Sequence, residues 1–183
     1  MKEVLIFVAG ATPQVITETI YALATSSPPV CPDTVVVITT VAGRTRVVQS
    51  LIAEGRLARL CKDYAIPSFP FDEQSIHVPL GADGQEINDI RTSDDNAAMG
   101  DLITSTVRRA AADRNSRLHC SIAGGRKTMS FYLGAALQLF GRPWDRLYHV
   151  LVTPAFESHP EFFFLQTAGK RDAGMPGCRR KHP

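Results

Sequence analysis

The chain has 183 residues, 44% of them hydrophobic and 21% charged, with a formal net charge of +2. That length supplies one full core and is short for two, and so small a charge excludes the broad positive field of a nonspecific duplex-DNA binder. The four cysteines, Cys31, Cys61, Cys120 and Cys178, form no CxxC pair, which suits reduced thiols in the cytoplasm and offers no metal site, while the first apolar run is too short to span a bilayer or act as a signal segment.

Residues 4–9, Val-Leu-Ile-Phe-Val-Ala, are a continuous apolar run, followed by Gly10-Ala11-Thr12-Pro13-Gln14 and a periodic segment over residues 15–23. This reads as strand, turn and helix, with Thr12 as the helix N-cap and Pro13 at the first helical position. A strand apolar along its whole length is expected where helices cover both faces, which points to a parallel sheet. Residues 34–40 form a second strand, and Gly43-Arg44-Thr45 leads into a helix over residues 46–64. Arg44 then lies on a strand-to-helix loop, where a solvated arginine is the commoner outcome and a phosphate ligand the alternative.

Residues 75–80 and 86–90 flank Ala82-Asp83-Gly84, the signature of a hairpin with an Asp-Gly turn. Arg91-Thr92-Ser93-Asp94-Asp95-Asn96 starts a helix reaching residue 113, with Thr92 as N-cap, Asp95 as its capping partner, and Ala97, Leu102, Ile103, Val107, Ala110 and Ala111 as a buried stripe. A strand over 118–123, a glycine turn and a helix over 129–140 follow, the last ended by Gly141 with Pro143 beyond. Residues 147–153 make the final strand, and Phe162-Phe163-Phe164 a covering segment. The fold class is therefore α/β: a Rossmann-like, mainly parallel sheet with helices on both faces and a β-hairpin insertion. One domain spans residues 1–165. Residues 166–183, with Lys170, Arg171, Arg179, Arg180 and Lys181 among glycines and prolines, read as a basic disordered tail, with recruitment of RNA as the alternative.

The chemistry concentrates in Ser121-Ile122-Ala123-Gly124-Gly125-Arg126-Lys127-Thr128. Glycines let the backbone approach a ligand, Thr128 can cap the helix, and first-turn amides point at any anion there. Arg126 adds a planar fork and Lys127 a point charge, a pair suited to a phosphodiester. The stretch is not a Walker A loop: Arg126 precedes Lys127, and Ser121 stands where the earlier glycine belongs. In a parallel sheet the turns at Gly10 and at Gly124-Gly125 face one crevice beyond the strand ends.

Four motifs occur in order: Gly10-x-Thr12-Pro13-Gln14-Val15-Ile16-Thr17-Glu18-Thr19, Asp89-Ile90-Arg91-Thr92, Ser121 to Met129, and Phe156-Glu157-Ser158-His159-Pro160. Together they resemble the CRISPR-associated Rossmann fold (CARF) proteins, and most nearly the ring nuclease family of type III CRISPR systems, over about residues 3–165. The resemblance implies a homodimer whose shared pocket binds cyclic oligoadenylate, most often the four-membered ring. It further implies metal-independent cleavage, in which a ribose 2′-hydroxyl attacks the adjacent phosphate in line and leaves a linear adenylate with a 2′,3′-cyclic phosphate. No cofactor is implied.

Carried over by position, the resemblance makes Lys127, Thr12 and Arg126 the catalytic group. Lys127 stabilises charge on the phosphate, Arg126 clamps a neighbouring phosphate, and Thr12 with Gln14 orients ribose and phosphate. Gly10, Ala11, Pro13, Gln14, Arg44, Ala123, Gly124, Gly125 and Thr128 line the ligand, with Gly124 and Gly125 offering backbone amides. Family members commonly have serine where this chain has Thr12, which keeps the hydroxyl and adds a methyl group. His159 is a structural loop residue or an acid–base group, and Glu18 and Arg91 are capping or interface residues. Many relatives add a helical HEPN ribonuclease domain with an Arg-x4-6-His motif. Arg114–His119 and Arg142–His149 fit that spacing, but both histidines fall on expected strands. The alternative function is a sensor or sponge that binds the ring without cutting it. A mononucleotide or dinucleotide enzyme is disfavoured because the first turn lacks G-x-G-x-x-G.

Overall fold

Successive apolar residues on the first strand decide the architecture. In β1 (Lys2–Val8), Leu5 and Phe7 are buried in one hydrophobic cluster, Ile6 and Val8 in another; both faces need helices, and the strand belongs inside a sheet. The structure, a computed structural model, describes residues 1–151 and 162–165. β1 joins β2 (Thr34–Ile38), β3 (Ile76–His77), β4 (Ser116–Ser121) and β5 (Arg146–Tyr148) in one parallel five-stranded sheet of order β3-β2-β1-β4-β5. Val8 pairs with Ile38 and Phe7 with Ser121, so β1, β2 and β4 end at nearly the same level.

Helices α1 (Gln14–Ala24), α2 (Val41–Val47) and α3 (Arg56–Asp63) cover the Leu5 face, through Ile16, Ile20, Val47, Leu57 and Leu60. Helices α4 (Ser93–Ala112) and α5 (Lys127–Phe140) cover the other, through Met99, Ile103, Val107, Met129 and Leu133. This is the expected Rossmann-like α/β arrangement. Phe163 and Phe164 do cover the core: the Thr17 hydroxyl donates to the Phe163 carbonyl at 2.8 Å, and the Arg56 guanidinium lies 4.0 Å from the Phe163 ring centroid.

Several local expectations change. The helix expected over 46–64 begins at Val41, because Thr40 supplies an earlier cap: its Oγ1 accepts the Gly43 N–H at 3.4 Å. The chain then widens into a π-helical segment, Val48–Ala53, and Gly55 in the left-handed region (φ +67) starts α3. The hairpin keeps its turn, with Gly84 at φ +75 and its N–H on the Gly81 carbonyl at 2.9 Å. Its arms do not pair beyond one antiparallel bridge, Leu80 to Glu86, since β3 pairs parallel with β2 instead. β5 is shorter at its end than the expected strand, and residues 152–153 lie outside the described residues. Cys61 and Cys120 are free thiols, but Cys31 is disulfide-bonded, against the expectation of four reduced cysteines. Spacing along a chain does not reveal which cysteines meet in space. Residues 156–160 and the tail from 166 also lie outside the described residues.

One polar chain crosses the Leu5 face. Glu3 takes two hydrogen bonds from Arg117 (2.9 and 2.6 Å) and lies 2.7 Å from His119 Nε2, whose Nδ1 is 2.9 Å from the Tyr148 hydroxyl. Burial would raise the Glu3 carboxyl, but the hydrogen bonds from Arg117 and His119 outweigh it and leave its pKa lowered. Burial depresses His119, so Nε2 carries the proton towards Glu3 and Tyr148 donates to Nδ1. His119 is thus a satisfied sheet histidine, in keeping with its exclusion from a HEPN motif.

Candidate functional site

After β1 the chain builds β2 and β3 on one side of the sheet, and later crosses to build β4 and β5 on the other. The gap beyond the carboxyl ends of β1 and β4 is therefore the topological switch point, where ligands of open parallel sheets lodge. Both glycine turns are there and touch. A Cβ on Gly10 would stand 3.3 Å from Gly125 Cα, and one on Gly124 would stand 2.8 Å from the Val8 carbonyl oxygen and 2.9 Å from Val15 Cγ2. Gly124 thus lets the second loop pass against β1 and α1, and Gly125, at φ +78, turns the chain into α5.

Hydroxyls brace the two turns from below, those of Thr19, Thr39 and Ser121 buried and that of Ser130 half-buried. Thr39 Oγ1 donates to the Ala9 carbonyl at 2.8 Å, Ser130 Oγ lies 3.1 Å from the carbonyls of both Ile122 and Gly124, and Thr19 Oγ1 is 3.2 Å from Ser121 Oγ. Ala11, Thr12, Gly125, Lys127 and Thr128 remain exposed, whereas Pro13 and Gly124 are buried and Gly10, Gln14 and Ala123 are half-buried. Gln14 Oε1 is buried with no hydrogen-bond partner among the described residues, an acceptor left open beside the first turn.

Both capping expectations are corrected. Pro13, at φ −69 and ψ −13, takes the N-cap position of α1 with no side-chain cap, so the Thr12 hydroxyl stays outside the helix. Arg126, extended at φ −73 and ψ 155, precedes α5, so Lys127 and Thr128 fill its first two positions and Thr128 does not cap it. Their amides have no carbonyl four residues back within the helix, and they sit at the positive end of its dipole.

Arg44 is corrected too: it lies in α2 and not on a loop, and its guanidinium grips Glu86 through two hydrogen bonds of 2.6 and 2.5 Å. Arg126 is held likewise, with one terminal nitrogen 2.8 Å from both oxygens of Asp89. Hydrogen bonding by Arg126 lowers the Asp89 carboxyl, as hydrogen bonding by Arg44 lowers Glu86. Lys127 makes no ion pair among the described residues. Arg91 stands 3.7 Å from Asp89, and Glu18 is half-buried with its carboxyl raised by burial.

The residues of the two turns thus lie at one crevice with Arg126 and Lys127, and Gly43 of α2 joins it from the β2 side: a Cβ there would stand 3.3 Å from the Gly10 carbonyl oxygen. Sequence reasoning passed over Glu86 and placed Asp89 in the Asp89-Ile90-Arg91-Thr92 motif without assigning it a role. Their signal was two acids three residues apart, between the hairpin turn and α4, but nothing in the order of residues says which arginines they meet. His159 lies outside the described residues. Among the described residues no three His, Cys, Asp or Glu side chains gather as a metal cluster, and no helix is long and apolar enough to cross a membrane.

Fold and site define a Rossmann-like α/β protein with a glycine-walled cationic crevice at its switch point. The chain belongs to the family of CRISPR-associated protein NE0113, whose sequence profile matches residues 12–177. No curated protein matches it. Among solved structures it is similar to a 2.2 Å crystal structure of a Listeria monocytogenes protein provisionally described as a UDP-N-acetylglucosamine 2-epimerase. Identity there is 17% and the TM-score 0.41, over 82% of this chain and 31% of that one. This chain spans less than a third of that protein, and a likeness so slight says nothing about its activity.

Proposed function

We propose that this CRISPR-associated chain is a ring nuclease of the CARF type: a homodimer that binds cyclic oligoadenylate, with cyclic tetra-adenylate as the ring of choice, and cuts it without a metal, switching off type III CRISPR signalling. The observation that carries the reading is the meeting of the two glycine turns at the switch point, with Arg126 and Lys127 on one wall and Thr12 on the other. Such a crevice offers amides and cations to a phosphodiester.

In the proposed reaction the O2′–P bond forms as the 2′-hydroxyl gives up its proton, and the P–O5′ bond breaks as the leaving oxygen takes one up. The protein holds the two oxygens in line and stabilises the charge on the phosphate. Lys127 does the latter, Arg126 clamps the next phosphate, and Thr12 and Gln14 orient the ribose. Gly10, Ala11, Pro13, Arg44, Ala123, Gly124, Gly125 and Thr128 complete the ligand's surroundings.

The test is incubation of the purified protein with cyclic tetra-adenylate in EDTA beside Lys127→Ala, with products resolved by chromatography and mass detection. Linear di-adenylate bearing a cyclic phosphate is expected, with the rate reduced about a hundredfold or more in the variant. An intact ring that co-elutes with the wild type establishes the sensor or sponge instead. That second reading has one observation in its favour: in the ligand-free protein Glu86 and Asp89 are both engaged by arginines, so neither stands poised as a base for the 2′-hydroxyl proton.

A further inference from the structure

We infer that residues 86–91 form an acidic strap whose two carboxylates hold Arg126 at the crevice and Arg44 of the adjoining α2 until ligand phosphates displace them. The inference rests on the proposed phosphate-binding role of the crevice and concerns how that site is regulated. The strap has a defined course. At one end the amides of Val41 and Ala42 donate to the carbonyls of Ile87 and Asn88, at 3.0 and 3.3 Å, which ties it to the start of α2 beyond β2. At the other, Asp89 grips Arg126, which stands beyond β4 at the head of α5. The strap therefore passes from the β2 end to the β4 end of the crevice, with Gly10 of the first turn between Gly43 and Gly125.

Ile87 and Ile90 are buried and pin the backbone, while Glu86 and Asp89 project their carboxylates to the guanidinia of Arg44 and Arg126. A carboxylate and a phosphate offer an arginine the same pair of acceptor oxygens. In the free protein the strap thus satisfies Arg126 and the neighbouring Arg44 and leaves Lys127 unpaired among the described residues. Both carboxylates are partly open to water, at 41% and 35% side-chain exposure, so the pairs are weak enough to exchange. A ligand able to reach both arginines must also displace both acids, which favours a molecule with two or more phosphates over an isolated anion.

Calorimetric titration of the wild type, Glu86→Gln, Asp89→Asn and the double variant with cyclic tetra-adenylate and, separately, inorganic pyrophosphate tests this. Both substitutions keep side-chain shape at accessible positions, and a thermal melt of each variant verifies that it folds. Binding is expected to tighten by up to about fivefold per single substitution and further in the double variant. The ring decides wherever any variant binds it: unchanged or weaker affinity overturns the strap and makes the acids mere positioners of the arginines. If no variant binds the ring, pyrophosphate decides. Tighter pyrophosphate binding then supports the strap while overturning the oligoadenylate reading, and unchanged, weaker or absent pyrophosphate binding overturns the strap as well.

Discussion

Gly124 and Gly125 are neighbours with different reasons for being glycine. At Gly124 a methyl group would meet the Val8 carbonyl and a Val15 methyl, neither of which can rotate away. Gly124→Ala is therefore expected to cost about 1–3 kcal/mol as overpacking, read from urea unfolding. At Gly125 the nearest atom is the thioether sulfur of Met129 at 3.0 Å, which can move, and the strain comes from φ +78; Gly125→Ala should cost about 1–2 kcal/mol. Thr12 admits a test of chemistry alone, because it is exposed and outside the α1 cap. Thr12→Ser is expected to cleave cyclic tetra-adenylate at least as fast as the wild type. Thr12→Val, which keeps the shape and removes the hydroxyl, should slow it, as single-turnover rates would reveal.

The helices differ in how they begin, and this governs how much each can be disturbed. α4 starts with a reciprocal cap: Thr92 Oγ1 accepts the Asp95 N–H at 3.1 Å, and Asp95 Oδ2 accepts the Thr92 N–H at 2.9 Å. Thr92→Ala is expected to lose about 1 kcal/mol, seen as a lower Tm with no change in ligand affinity. α1 and α5 start at the crevice without a side-chain cap; the amides of Ile16 and Met129 turn back to the carbonyls of Pro13 and Arg126, at 3.1 and 2.9 Å, which leaves the amides before them for an anion. The Ser/Thr rule for helix starts placed α4 correctly and misplaced Thr12 and Thr128. At those two turns Pro13 and Arg126, which offer no capping oxygen, take the position instead.

Across the whole sheet, the pH response should come from Glu3 and His119. The Glu3 carboxyl is depressed in the folded protein, so its contribution is present above the unfolded carboxylate range near about 4.3 and is lost as pH falls through the lower folded value. His119 is buried and also depressed, so folding favours its neutral form, and that contribution begins to fall as pH drops below about 6.5. Both slopes have the same sign. Unfolding free energy is expected to decline from pH 7 towards pH 4 in denaturant titrations, and His119→Gln should flatten the part between about pH 6.5 and 5. A uniform decline in wild type and variant alike would assign the slope to other groups.

The amino-acid order alone determined the fold class and the two glycine turns that the sheet brings together at its switch point. Alternating apolar runs and periodic segments require strands buried on both faces between helices, and that requirement is local enough to be read from the residues 4–9, 34–40 and 118–123. The glycine turns at Gly10 and Gly124 were legible for the same reason, since a glycine between a buried strand and a helix marks a close approach. Only the tertiary structure decided which cations are free. Arg44, Arg126 and Lys127 look alike along the chain, yet the segment after the Asp83-Gly84 turn folds back over the crevice and pairs the two arginines with Glu86 and Asp89. Ion pairing depends on distances between side chains far apart in sequence, 42 and 37 residues here, and no local pattern encodes them.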